Sequence, residues 1–153
     1  MPESFSSQKI IRDIDSFLQQ LDRTNKSIIF TNGCFDLLHE GHLHLITESK
    51  KLGDFLIVAV NDDASIKRLK GATRPVESLE TRMKHLAAIE IVDYIFSFSE
   101  DTPLQIIEKI QPDVLVKGGD YKKEEVVGNH IAQKTVIIPL LDGFSTTKII
   151  QAK

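Results

Sequence analysis

Cysteine occurs once in this chain and tryptophan not at all. A lone thiol, Cys34, cannot close an intramolecular disulfide, so stability has to come from a packed core. The first residues carry neither a basic stretch nor an apolar run of the secretory kind. Nowhere do the roughly 18 consecutive apolar residues of a membrane span occur. A cytoplasmic location with no membrane contact is the expectation. Positive charge is not in surplus either, since the formal net charge is −3. Gripping a nucleic-acid backbone needs clustered Lys and Arg, so no nucleic-acid partner is expected and any anionic ligand must be met by local groups. Repeats and low-complexity segments are also missing.

What is present is an ordinary globular balance, with 41% apolar and 27% charged residues over 153 positions. That length suits one domain with its own core. From Gln8 to Leu21 the residues Ile10, Ile11, Ile14, Phe17, Leu18 and Leu21 recur at three- and four-residue spacing, which predicts an amphipathic helix with Ser7 as its N-cap. Its apolar stripe needs a cover, either its own sheet or a second subunit. Short β-rich runs follow at Ser27 to Thr31, Phe55 to Val60, Tyr94 to Phe98, Val114 to Lys117 and Thr135 to Pro139. Helical spacing lies between them, from Gly41 to Leu52 with Gly53 as the residue after its C-cap, and from Leu79 to Ile89. A further helix opens at Thr102-Pro103-Leu104-Gln105 with the residues of a capping box, and Ser145 to Ala152 predicts a closing helix. Alternation of this kind predicts an α/β fold: a Rossmann-like parallel five-stranded sheet with helices on both faces, whose ligands bind beyond the carboxyl ends of the strands. The whole of 1–153 is expected to form one domain, with 1–25 a helical extension and 26–153 the catalytic core.

The segment Thr31-Asn32-Gly33-Cys34-Phe35-Asp36-Leu37-Leu38-His39-Glu40-Gly41-His42 leaves the first strand and enters a helix. Unpaired N–H groups and the helix dipole make such a point attractive to phosphate. His39 and His42 stand three residues apart, which places both imidazoles on one side of the first turn, and Gly41 between them lets a phosphate approach the backbone. One histidine alone reads as an ordinary surface or capping residue; the pair with its glycine reads as a phosphate-handling constellation. Zinc is a competing reading for Cys34, His39, His42 and His44, but metalloprotease histidines lie four apart with different flanks. Cys34 as nucleophile with His39 as base is a further option, weaker than a small buried turn residue. His85 and His130 have no such company and are expected on helix surfaces.

These residues resemble the nucleotidyltransferases of the HxGH type, and most closely those that make ADP-heptose. The likeness runs from about Lys26 to Ile150. It is carried by Thr31 to His42, Val60-Asn61-Asp62-Asp63 to Lys70-Gly71, Arg74-Pro75-Val76, Arg82, Glu100-Asp101-Thr102-Pro103, Asp113 to Tyr121 and Gly143 to Thr147. A lone HxGH is a weak signal; the ordered set is specific. Within this sequence no kinase domain precedes these segments.

The resemblance implies that His39 and His42, with Lys70 and Arg82, are catalytic, contacting the triphosphate and stabilising charge on the transferring phosphate and departing pyrophosphate. It implies nucleotide contacts from Gly33, Cys34, Phe35, Gly41, Gly118, Gly119, Asp120, Ser145, Thr146 and Thr147, and acceptor contacts from Asp63, Lys70 and Tyr121, with Asp36 stabilising the turn. By charge alone Lys67, Arg68 and Lys70 read as a solvated helix face, and Arg82 could pair with Glu77 or Glu80. Magnesium rides on the triphosphate, with no metal held by protein side chains. The implied substrates are ATP and a sugar 1-phosphate, D-glycero-β-D-manno-heptose 1-phosphate, and a homodimer is implied as well. Cytidylyltransferase relatives carry an Arg-Thr pair where this chain has Leu140-Leu141, which favours ATP over CTP. Rival readings are a cytidylyltransferase acting on glycerol 3-phosphate or another small phosphorylated acceptor, and a nucleotide-binding regulatory module without catalysis.

Overall fold

The computed structural model of the chain describes residues 8–139. Ser7, Leu140-Leu141, the Gly143 to Thr147 segment and the closing helix lie outside the described residues. Within them, five strands form one sheet: β1 (Ile28–Gly33), β2 (Phe55–Asn61), β3 (Tyr94–Phe98), β4 (Val114–Gly118) and β5 (Lys134–Ile138). All pairs are parallel, in the order β3-β2-β1-β4-β5. Six helical elements accompany them, α1 (Ile14–Gln20), α2 (Glu40–Lys50), α3 (Asp63–Lys70), α4 (Leu79–Ala87), α5 (Leu104–Ile110) and a 3-10 turn at Lys123–Glu125.

Strands buried on both faces have no polar side to show, which is why they read as continuous Ile, Val, Leu and Phe. Alternate residues sort to opposite cores. Ile29, Val58, Val60, Ile95 and Val116 meet Leu45 and Ile46 of α2 and Met83 and Leu86 of α4. Ile28, Phe30, Ile57, Phe96 and Leu115 meet Ile106, Ile107 and Ile110 of α5 and the apolar stripe of α1. Each such fully buried side chain contributes about 1.5–3 kcal/mol through removal of apolar surface from water.

Four local expectations are corrected. The first helix begins at Ile14, with Asp13 accepting from Ser16 N at 3.1 Å. Just before it the chain bridges to β3 at Ile10, where Ile95 N donates to Lys9 O and Ile11 N to Ile95 O, each at 2.8 Å. Helical spacing there was produced by a strand-edge cover followed by a short helix, and the cover removes an exposed edge that would invite pairing. The stripe of α1 packs, partly buried, against its own sheet. Second, α5 opens without a side-chain cap, so Thr102 and Gln105 form no capping box. Third, Gly53 is required by packing and not by a positive φ, since a Cβ there would lie 2.6 Å from Ser27 Oγ. His130 is exposed as expected but sits in a turn, not on a helix.

β1 to β3 grow outward in one direction, and the chain then returns through α5 to place β4 on the other side of β1. The crevice between β1 and β4 is therefore the switch point at which doubly wound sheets bind ligands. Both the histidine turn and the Lys117-Gly118-Gly119 turn leave the sheet there.

Gly128 holds the segment between β4 and β5 against α5. It has φ +87°, and a Cβ would meet Ile107 Cδ1 at 2.8 Å and Cγ2 at 2.9 Å. Gly128→Ala is expected to lower stability by about 1–3 kcal/mol from strain and overpacking, read as a lower midpoint in urea unfolding.

Candidate active site

The histidine turn is held from outside itself. Asp36, buried at its centre, accepts from Val76 N at 2.7 Å and Glu77 N at 2.9 Å. Glu77 answers by accepting from Leu37 N at 3.0 Å. This exchange fastens the turn to the segment ahead of α4, and it supports Phe35 and Leu37 at φ +50° and +59°, a region that non-glycine residues rarely occupy.

At the head of α2 the two imidazoles stack, with ring centroids 3.8 Å apart and planes inclined by 24°. His39 Nδ1 accepts from Gly41 N at 3.0 Å, and His42 Nδ1 accepts from His39 N at 3.3 Å. A ring nitrogen that accepts carries no proton, so these bonds assign the remaining proton of each neutral ring to Nε2. Both histidines thus carry an Nε2–H donor at a helix start. Burial pushes the His39 imidazole down from its ordinary range. Burial, His39 and the nearby Lys70 ammonium together push His42 down to about 4. Near neutral pH both rings are uncharged donors.

Arg82, fully buried, lies beneath this turn. Its Nη1 donates to Cys34 O at 2.8 Å and Asn61 O at 2.7 Å, its Nη2 to Asp63 Oδ1 at 2.6 Å, and its Nε to Glu77 O at 3.1 Å. The guanidinium therefore ties together the ends of β1 and β2, the start of α3 and the approach to α4. Asp63, expected on the acceptor side, is its ion-pair partner, with its side chain 43% exposed. Asp62 starts α3 by accepting from Ser65 N at 2.8 Å.

Lys70 ends α3 exposed, close enough for its charge to act on His42 and Cys34. Burial raises the Cys34 thiol above its ordinary pKa, so it remains a neutral thiol, unsuited to attack. Its Sγ lies 3.9 Å from Asn61 Oδ1. Gly33 ends β1, Phe35 is buried, and Gly41 is buried in the first turn of α2. Across the switch point, Gly118 ends β4, Gly119 has φ +125°, Asp120 is exposed, and Tyr121 stands 47% exposed with its ring 5.0 Å from Lys117 Nζ. His39, His42, Gly33, Cys34, Phe35, Gly41, Lys70, Gly118 and Gly119 thus gather at one edge of the sheet. Lys117, Glu77 and Asn61 join them; Lys117 and Asn61 belong to segments that carry the resemblance, without an assigned role, and Glu77 was weighed only as a partner for Arg82. A lysine closing an otherwise apolar strand was the available signal for Lys117; the grip of Glu77 on Leu37 N left none, because that partner lies forty positions away.

A family model described as cytidylyltransferase-like matches residues 30–152. The chain belongs to the cytidylyltransferase-like family. Bifunctional protein HldE of Helicobacter hepaticus is 49% identical over 150 residues, covering 98% of this chain and 31% of that protein. Its counterpart in Campylobacter jejuni strain RM1221 is 48% identical over 97% of this chain and 32% of its own length. The chain thus spans about a third of these curated relatives. A solved lipopolysaccharide core biosynthesis protein from Thermoplasma volcanium is 30% identical with a TM-score of 0.65, covering 76% of this chain and 99% of that one. The pantoate-beta-alanine ligase of Francisella tularensis, at 20% identity and TM-score 0.64 over 94% of this chain and 76% of its own, shares the fold. Resemblance, fold class and the nucleotidyltransferase class read from the sequence are borne out. No described helix is long and apolar enough to cross a membrane.

Because the unfolded imidazole takes its proton near 6.5 and folded His42 only at about 4, the unfolded chain binds more protons between those values. Stability should fall as pH drops through that window, by up to about 1.4 kcal/mol per pH unit for one proton. Urea unfolding at pH 7, 6 and 5 should show this slope, and His42→Gln should flatten it.

Proposed function

We propose that the protein transfers an adenylyl group from ATP to D-glycero-β-D-manno-heptose 1-phosphate, forming ADP-heptose and pyrophosphate for lipopolysaccharide core synthesis. The observation that carries this reading is the stacked pair of neutral imidazoles at the start of α2, each with an Nε2–H donor. Supporting it are family membership and the sequence likeness to ADP-heptose-forming enzymes.

In this reading an oxygen of the sugar phosphate attacks the α-phosphorus of ATP in line. The new O–P bond forms as the bond to the β-phosphate bridging oxygen breaks, and pyrophosphate leaves with that electron pair, without a covalent enzyme intermediate. Donors already aimed at developing charge need no reorganisation during reaction, which is where such catalysis gains most. His39 and His42 donate Nε2–H to the phosphate oxygens, and the N–H groups at Cys34 and Phe35 hold the same nucleotide. Lys70 adds positive charge from the end of α3. Arg82 acts as a positioning residue: four of its N–H groups are engaged with chain atoms, so its part is to hold the turn. Gly118, Gly119 and Asp120 receive the ribose and base; Asp63 and Tyr121 face the acceptor; Ser145, Thr146 and Thr147 take the terminal phosphates.

Near the histidines, the Asp36, Asp63 and Glu77 carboxylates already accept from backbone N–H groups or from Arg82, and Lys70 and Lys117 add ammonium donors. Such a set fits a triphosphate that brings its own magnesium, held mostly by phosphate and water oxygens. Magnesium carried in this way neutralises phosphate charge. The same reading takes the chain as one catalytic domain of a cytoplasmic enzyme. A homodimer belongs to it on resemblance alone, since the half-buried stripe of α1 already packs against its own sheet; a monomer mass in light scattering would remove it.

Pyrophosphate release, measured with each pairing of ATP or CTP with heptose 1-phosphate or glycerol 3-phosphate, tests the assignment. ATP with the heptose phosphate should be the productive pair. His39→Ala and His42→Ala should each lower kcat about 100–1,000-fold, the scale for loss of one transition-state donor. Turnover with CTP alone would overturn the donor, and unchanged rates in both variants would overturn the catalytic role.

A further inference from the structure

Two cations flank the histidine turn. β1 has β2 on one side and β4 on the other; Lys70 ends the helix after β2, and Lys117 lies at the carboxyl end of β4. Thr31 pairs with Val116 in register, and Thr31 Oγ1 donates to Val116 O at 3.0 Å. Lys117 is the next residue along β4, level with the end of β1. Both ammonium groups act electrostatically on Cys34, at the start of the turn.

Lys117 differs from a surface lysine. It is half-buried and faces the Tyr121 ring at 5.0 Å. Among the described residues neither it nor Lys70 has a carboxylate within ion-pair distance. A partly desolvated cation beside a second cation is costly unless an anion joins them.

We infer that the Lys117 ammonium binds the α-phosphate of the nucleotide, the group undergoing transfer. This rests on the function proposed above and adds a residue to it. The nucleotide's parts are covalently ordered. With ribose at Gly118 and Gly119 and the β-phosphate at the head of α2, the phosphate joining them lies at the lip between β4 and β1, where Lys117 stands. There the ammonium neutralises charge that grows on the α-phosphoryl oxygens as the sugar phosphate, itself anionic, attacks. Tyr121 holds the ammonium through its ring face.

The groups facing Lys117 are Cys34 from the turn after β1, Lys70 from α3 and Tyr121 from the turn after β4. Burial first, then Lys70, lower its pKa, so the active ammonium is lost at lower pH than for a free lysine. Activity should fall as pH rises through that value.

Three measurements on Lys117→Met and Lys117→Arg test the inference. In ³¹P spectra of bound Mg-ATP without acceptor, Lys117→Met should move the α-phosphorus resonance and leave the γ-phosphorus in place. With acceptor, Lys117→Met should lower kcat about 100-fold with KM for ATP changed only a few-fold. Lys117→Arg, always charged, should keep partial activity and shift the alkaline fall to higher pH. An unmoved α-phosphorus signal, a kcat within threefold of wild type, or the same alkaline fall in Lys117→Arg would overturn it. Wild-type protein that binds ATP but adenylylates no sugar phosphate would sink the heptose reading instead, and the ³¹P comparison would still decide the role of Lys117.

Discussion

A buried guanidinium organises the carboxyl edge of this sheet. Arg82 has no contact with water, and its charge is balanced by Asp63 and by the carbonyls of Cys34, Asn61 and Glu77. Burying an arginine is costly unless its donors are taken up, and here three separate stretches of chain supply the acceptors. The histidine turn cannot shift without breaking those bonds. Asp36 and Glu77 add a second fastening through backbone N–H groups. Two imidazoles can then be kept stacked and uncharged at a helix start.

Charge is distributed with a matching logic. At the amino edge, Asp54, Asp93 and Asp113 accept from the N–H groups of Ser27, Leu56 and Ile28 at 2.7–2.8 Å. Carboxylates there satisfy backbone donors. At the carboxyl edge the carboxylates Asp36, Asp62 and Asp63 are engaged with N–H groups or with Arg82, leaving Lys70 and Lys117 as cations without a carboxylate partner among the described residues. A chain of net charge −3 can therefore receive a polyphosphate, because what counts is the potential inside one crevice and not the sum over the surface.

Much of the fold was legible because buried parallel strands must be apolar on both faces; β1 to β5 stand out as short Ile- and Val-rich runs. Helix signals were less secure where local pattern had two causes. Ile10 and Ile11 fit a helical stripe, yet they lie along the edge of β3, and Asp13 decides where α1 starts. The helix α3 was visible only as a cluster of basic residues, since its single buried apolar residue is Ile66. The His39 and His42 pair was readable because both residues and their glycine share one turn.

Sequence by itself determined the alternation of strand and helix, the two-histidine turn and membership of the cytidylyltransferase-like family, since each depends on residues close together along the chain. Tertiary structure alone decided that Arg82 lies beneath the turn and not on it, that Glu77, about forty positions on, clamps it together with Asp36, and that Lys117 and Lys70 stand on either side of β1. Those relations depend on which strands become neighbours. Strand order is set by the packing of helices on both faces, which no local pattern records.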